Sequence, residues 1–132
     1  MIEAKRIGVL VAEDNSDLCA AVCELIAGEP DMLVTGSVQR AGALLDIVHT
    51  TTADVVVLDL DLSGESSLPA LQALRAAQPR IAVVVYSGHD RRLLGHVFVQ
   101  IPNCEYVTKN GDAMELLAAL HRVAQTKTGA GV

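Results

Sequence analysis

Three stretches of the chain are apolar almost from end to end: Ile7–Ala12 (IGVLVA), Val55–Asp59 (VVVLD) and Ile81–Ser87 (IAVVVYS). A strand with one wet face alternates apolar and polar residues. An unbroken run rich in Val and Ile instead marks a strand covered on both faces. Two weaker runs, Met32–Ser37 and Glu105–Thr108, complete a set of five. Between them lie stripes at helical spacing: Leu18, Val22, Leu25 and Ile26; Ala41, Leu44, Leu45 and Val48; Leu68, Leu71 and Leu74; Leu93, Leu94, Val97 and Phe98; Leu116, Leu117, Leu120, Val123 and Ala124. Gly28 and Pro30 stop the first helix, Ser37 is a candidate cap for the second, and Asp112 with Glu115 gives the fifth a capping-box-like start. Strand and helix alternate five times, which predicts an α/β fold, a three-layer (βα)5 doubly wound sandwich around a five-stranded parallel sheet. Right-handed crossovers settle most of its topology.

At 132 residues the chain suits one domain, and 51% hydrophobic residues exclude disorder. The periodicity fades after Gln125, so the domain is placed at residues 1–125 and a flexible tail at 126–132. A net charge of −6 repels phosphate backbones, so no direct nucleic-acid binding is expected. The first apolar run is too short for a membrane span or signal peptide, so no membrane role is expected. Cys19, Cys23 and Cys104 are odd in number and form no paired framework. Cys19 and Cys23, four apart on a helix, read as small buried apolar residues rather than metal ligands. A cytoplasmic location fits these cysteines.

In open α/β sheets ligands sit beyond the carboxyl ends of the strands, where the strand order reverses. Here the first strand runs out into Glu13-Asp14, the third into Asp59-Leu60-Asp61, the fourth ends at Ser87 and the fifth at Lys109. Crowded carboxylates repel one another, which raises their pKa values or recruits a cation. Hard oxygen donors suit Mg²⁺, which is commonly held by one or two carboxylates with a phosphate. A carboxylate beside that ion can act as a nucleophile toward a phosphoryl group. The metal, the Ser87 hydroxyl and Lys109 then suffice for its three peripheral oxygens. Taken singly, each of these residues is an ordinary cap or surface charge; their joint occurrence at four strand ends is what points to a site.

On VLVAED, VVVLDLDLSG, VVVYSG and YVTK the chain resembles the receiver domains of two-component response regulators, from Arg6 to about Gln125. The resemblance implies a flavodoxin-like sheet of order 2-1-3-4-5 and a signalling switch rather than an enzyme. It makes Asp59 the phosphoacceptor, and Asp14, Asp59 and the backbone carbonyl of Asp61 ligands of Mg²⁺, with Glu13 acting through metal-bound water. Ser87 and Tyr106 match the hydroxyl and aromatic pair that move on phosphorylation, Tyr106 turning inward. Lys109 matches the phosphoryl-contacting lysine. The implied donor is a sensor histidine kinase or a histidine phosphotransfer protein. The output face would be the fourth helix, fifth strand and fifth helix. It would act on a downstream target, on an effector domain outside this chain, or through a phosphorylation-dependent homodimer.

Some positions depart from the pattern. Ser63 stands where Pro is common and Ser67 where Gly is common, so the loop either runs looser or caps the third helix through its serines. Asn110 replaces a frequent Pro after the lysine, which makes a trans bond the expectation. His49, His96 and His121 read as surface or packing residues, while His89 lies two residues past Ser87. One rival reading is enzymatic: VVVLDLDLS approaches the Asp-x-Asp-x-Thr signature of haloacid-dehalogenase-type phosphohydrolases, with Asp59 as nucleophile and Asp61 as acid/base. That family, however, places its acidic pair after the lysine, whereas Glu13-Asp14 comes first here.

Overall fold

The computed structural model describes residues 5–50, 52–88, 100–110 and 112–129. Its elements are β1 (Ile7–Ala12), α1 (Ser16–Ala27), β2 (Met32–Val38), a 3₁₀ turn (Ala41–Ala43), α2 (Leu44–Thr50), β3 (Val55–Leu58), β4 (Asp61–Leu62), β5 (Glu65–Ser66), α3 (Leu68–Ala77), β6 (Ala82–Ser87), β7 (Cys104–Thr108) and α4 (Ala113–Gly129). The main sheet is parallel with order β2-β1-β3-β6-β7, which is 2-1-3-4-5 for the five expected strands. The helix expected from Leu93, Leu94, Val97 and Phe98 lies outside the described residues, so α4 is the fifth helical stripe. It runs to Gly129, past the end of the apolar periodicity.

The unbroken apolar runs are explained by two cores, one on each face of the sheet. Val9, Val11, Val55, Val57, Ala82 and Val84 point toward α1 and α4, meeting Ile26, Leu116 and Leu120. Leu10, Ala12, Val56, Leu58, Val83 and Val85 point the other way, onto Leu44, Val48, Leu71 and Leu74. Successive residues on each central strand therefore enter different cores, and neither set tolerates a polar side chain. Cys19 and Cys23 pack in the first core, as small apolar residues would. Burial pushes the Cys23 thiol up to about 11.

Two local expectations change. Ser37 does not cap α2: it belongs to β2, paired with Val11, and the 3₁₀ turn intervenes. The loop after Asp59 is not loose. It folds into a hairpin, β4 against β5, turning through Ser63 and Gly64 at φ 53° and 79°. Positive φ at both central residues suits a tight two-residue turn, and the fully buried Leu62 pins the hairpin to the second core. His121 pairs with Asp31 at 3.1 Å, clasping α4 to the turn before β2.

Close backbone approach makes Gly8 the most constrained position of β1. A Cβ there would stand 2.5 Å from the Thr52 carbonyl oxygen and 3.0 Å from Thr35 Cγ2. Gly8→Ala is expected to lower stability by about 2 kcal/mol through overpacking. Gly36→Ala, whose nearest contact would be an ordinary 3.4 Å, should cost clearly less. Urea denaturation of both variants checks this, and equal losses would contradict it.

Candidate functional site

Adjacent strands bring the expected residues together at the carboxyl end of the sheet. Ala12 and Leu58 are register partners, and the Asp59 N–H donates to the Ala12 carbonyl at 3.0 Å. Glu13 and Asp59 therefore emerge side by side, where β1 and β3 part to opposite halves of the sheet. Ser87 pairs with Thr108, and the Lys109 N–H donates to the Ser87 carbonyl at 2.7 Å, setting the lysine beside the fourth strand end. Glu13, Asp59 and Ser87 are buried, whereas Asp14 is exposed.

Lys109 Nζ donates to Glu13 Oε1 at 2.7 Å and to Asp59 Oδ2 at 3.1 Å. Burial raises the Glu13 carboxyl above the ordinary range, and the nearby Asp59 adds to this against the opposing pull of Lys109. Burial alone would lower Lys109, but its hydrogen bonds to Glu13 and Asp59 outweigh that and hold the ammonium above its usual value. The Asp14 carboxyl is held low, chiefly because Oδ2 accepts from the Ser63 N–H at 3.0 Å.

One oxygen each from Glu13, Asp14 and Asp59 lies within 4.8 Å of the others. Three carboxylates against one ammonium leave two negative charges when all are ionised, which a divalent cation would balance. All the donors are hard oxygens, the set that Mg²⁺ takes. The residues present thus fit the ion. The Asp61 carboxylate is not among the three; its residue instead donates a main-chain N–H to Asp59 Oδ1 at 3.2 Å.

Tyr106 is buried, 8% exposed, against the second core. The described residues hold no cis peptide, and the Lys109–Asn110 bond is trans as expected. Asp112 opens α4 as anticipated, its Oδ1 accepting from the Met114 N–H at 3.0 Å.

Several contributors escaped the sequence reading. Tyr86 lies under Lys109, its ring centroid 5.7 Å from Nζ. Asn15 caps α1 by accepting from Leu18 N–H, and its own N–H donates to Glu13 Oε2 at 3.1 Å. An Asn just before a helical stripe is a legible cap signal. Nothing in the sequence marked Tyr86.

Fold and site together define an α/β protein with an acidic, lysine-bridged centre at the switch point of its sheet. The response regulator receiver domain profile matches residues 9–121, and the chain belongs to that family. It is 27% identical over 118 residues to the nitrate/nitrite response regulator protein NarL of Escherichia coli (strain K12), spanning 88% of this chain and 54% of that one. It is also 27% identical over 113 residues to a protein-glutamate methylesterase/protein-glutamine glutaminase of Nitrobacter hamburgensis (strain DSM 10229 / NCIMB 13809 / X14), covering 84% of this chain and 30% of that one. The chain thus spans about half, or less, of the length of these relatives. A LuxR-family two-component response regulator from Aurantimonas sp. SI85-9A1 shares the fold, with TM-score 0.84, 23% identity, and coverage of 92% and 87% of the two chains. The chain is a receiver domain of a two-component response regulator, and the phosphohydrolase reading is not supported. No helix among the described residues is long and apolar enough to cross a membrane.

Proposed function

We propose that this chain accepts a phosphoryl group on Asp59 from a sensor histidine kinase or a histidine phosphotransfer protein, in the cytoplasm. The observation that carries this reading is Lys109 Nζ bridging Glu13 and Asp59 beside Asp14. A carboxylate oxygen of Asp59 forms the new O–P bond, while the donor's bond to phosphorus breaks and the donor keeps that electron pair. Lys109 moves from the free carboxylate to a phosphoryl oxygen, and the Ser87 hydroxyl takes another. Glu13, Asp14, Asp59 and the Asp61 carbonyl would hold Mg²⁺, which when bound neutralises charge on the carboxylate and phosphoryl oxygens.

Phosphorylation then acts on an existing equilibrium. With Ser87 drawn toward the phosphoryl group, the buried Tyr106 conformation is favoured over an outward one, and the face carrying β7 and α4 is biased toward one state. Beryllium fluoride with Mg²⁺, which mimics the phosphoryl group, should shift the NMR signals of Ser87, Tyr106 and Val107 in the wild type and leave Asp59→Asn unaffected. A response confined to the residues around Asp59 would contradict the switching role.

A further inference from the structure

Ser67 is fully buried, at 0% exposure, and stands at the N-cap of α3 without capping it. An N-cap serine ordinarily gives its oxygen to the helix's free N–H groups. Here the neighbouring Ser66 Oγ accepts from the Leu68 N–H at 3.2 Å, and Ser67 Oγ donates instead to the main-chain carbonyl of Asp59 at 2.6 Å. The Ser67 N–H donates to the next carbonyl, Leu60, at 2.6 Å, and its own carbonyl accepts from Leu71 N–H in the first turn of α3 at 2.9 Å. We infer that Ser67 is a positioning residue for Asp59, a role that rests on Asp59 being the phosphoacceptor.

The peptide plane before Asp59 is held by β1, through its N–H on Ala12. The plane after it is held by the Ser67 hydroxyl, and through Ser67 by α3. With both planes held, the Cα–Cβ bond of Asp59 has one direction, which sets its carboxylate 3.1 Å from Lys109 and within reach of the Asp61 N–H. A glycine at position 67 keeps the bond to Leu60 and loses the one to Asp59. The hairpin, whose base Ser67 closes, then no longer fixes the reacting group.

The test is phosphorylation by acetyl phosphate with Mg²⁺ across donor concentrations, for the wild type, Ser67→Ala, Ser67→Gly and the control Ser66→Ala, each with its melting temperature. Loss of the Ser66 cap should lower the melting temperature but leave the phosphorylation rate within about twofold. Both Ser67 variants should fall about tenfold in rate at saturating donor with little change in half-saturating concentration, part of the roughly hundredfold that a misplacement of about 1 Å can cost. Folded Ser67 variants phosphorylated at the wild-type rate would overturn the inference, as would Ser66→Ala slowing equally. A wild type that gains no phosphoryl group on Asp59 would instead remove the phosphoacceptor reading on which it rests.

Discussion

Replacing Lys109 with Met should lower stability by about 2 kcal/mol in the absence of divalent cations. Removing one partner of a buried ion pair costs roughly 3–5 kcal/mol, because the remaining charge is stranded. The Lys109 side chain is 20% exposed, so water screens part of this and the lower figure applies. The variant leaves Glu13 and Asp59 facing each other with no cation between them. Mg²⁺ should therefore recover more stability in Lys109→Met than in the wild type. Asp14→Ala should do the reverse, changing the cation-free protein little and losing most of the Mg²⁺-dependent gain. Equal Mg²⁺ shifts in melting temperature for wild type and Asp14→Ala would contradict the metal assignment.

The pH dependence of the Lys109 effect has a definite sign. The folded Lys109 value is raised, so its contribution is fully present below the ordinary 10.5 and is lost as pH rises through the folded value. The gap between wild type and Lys109→Met should hold from neutral pH to near 10.5 and close above it. On the acid side it should narrow already above pH 4.5, because burial raises the Glu13 carboxyl and a neutral Glu13 needs no partner. Urea denaturation across this range measures it. A gap that persists unchanged well above the lysine value would mean that the Lys109→Met substitution acts through packing.

The fold was legible because central strands buried on both faces leave a plain mark. Val55 to Leu58 and Ala82 to Val85 feed two cores in turn, and only a sheet sandwiched between helices requires that. The gathering of Glu13, Asp14, Asp59 and Lys109 followed from topology, since parallel neighbours with matched register must end at the same edge. The hairpin after Asp59 was harder to see. Ser-Gly is a turn signal, but two-residue strands carry too few side chains to show alternation. The roles of Ser67 and Tyr86 depend on where a side chain points after the chain has folded. Ser67 could have capped its helix on sequence grounds, and only the structure shows its hydroxyl turned back to Asp59. Ser37 misled for a related reason: Ser marks caps generally, yet β2 runs through it and the 3₁₀ turn takes up the entry to α2.

The central claim is that Asp59 is the phosphoacceptor, and intact-mass analysis after incubation with acetyl phosphate and Mg²⁺ tests it most directly. Asp59 combines a buried carboxylate, a lysine at 3.1 Å and neighbouring carboxylates able to share a cation. Asp61 is exposed and its carboxylate lies outside the cluster, so it should not compete for the phosphoryl group. The wild type should gain the mass of one phosphoryl group, stable in acid and labile in base as an acyl phosphate is. EDTA should suppress the gain, and Asp59→Asn should abolish it while leaving the protein folded. Undiminished phosphorylation of Asp59→Asn, or a wild type that hydrolyses phosphate monoesters rapidly without forming the adduct, would contradict the account.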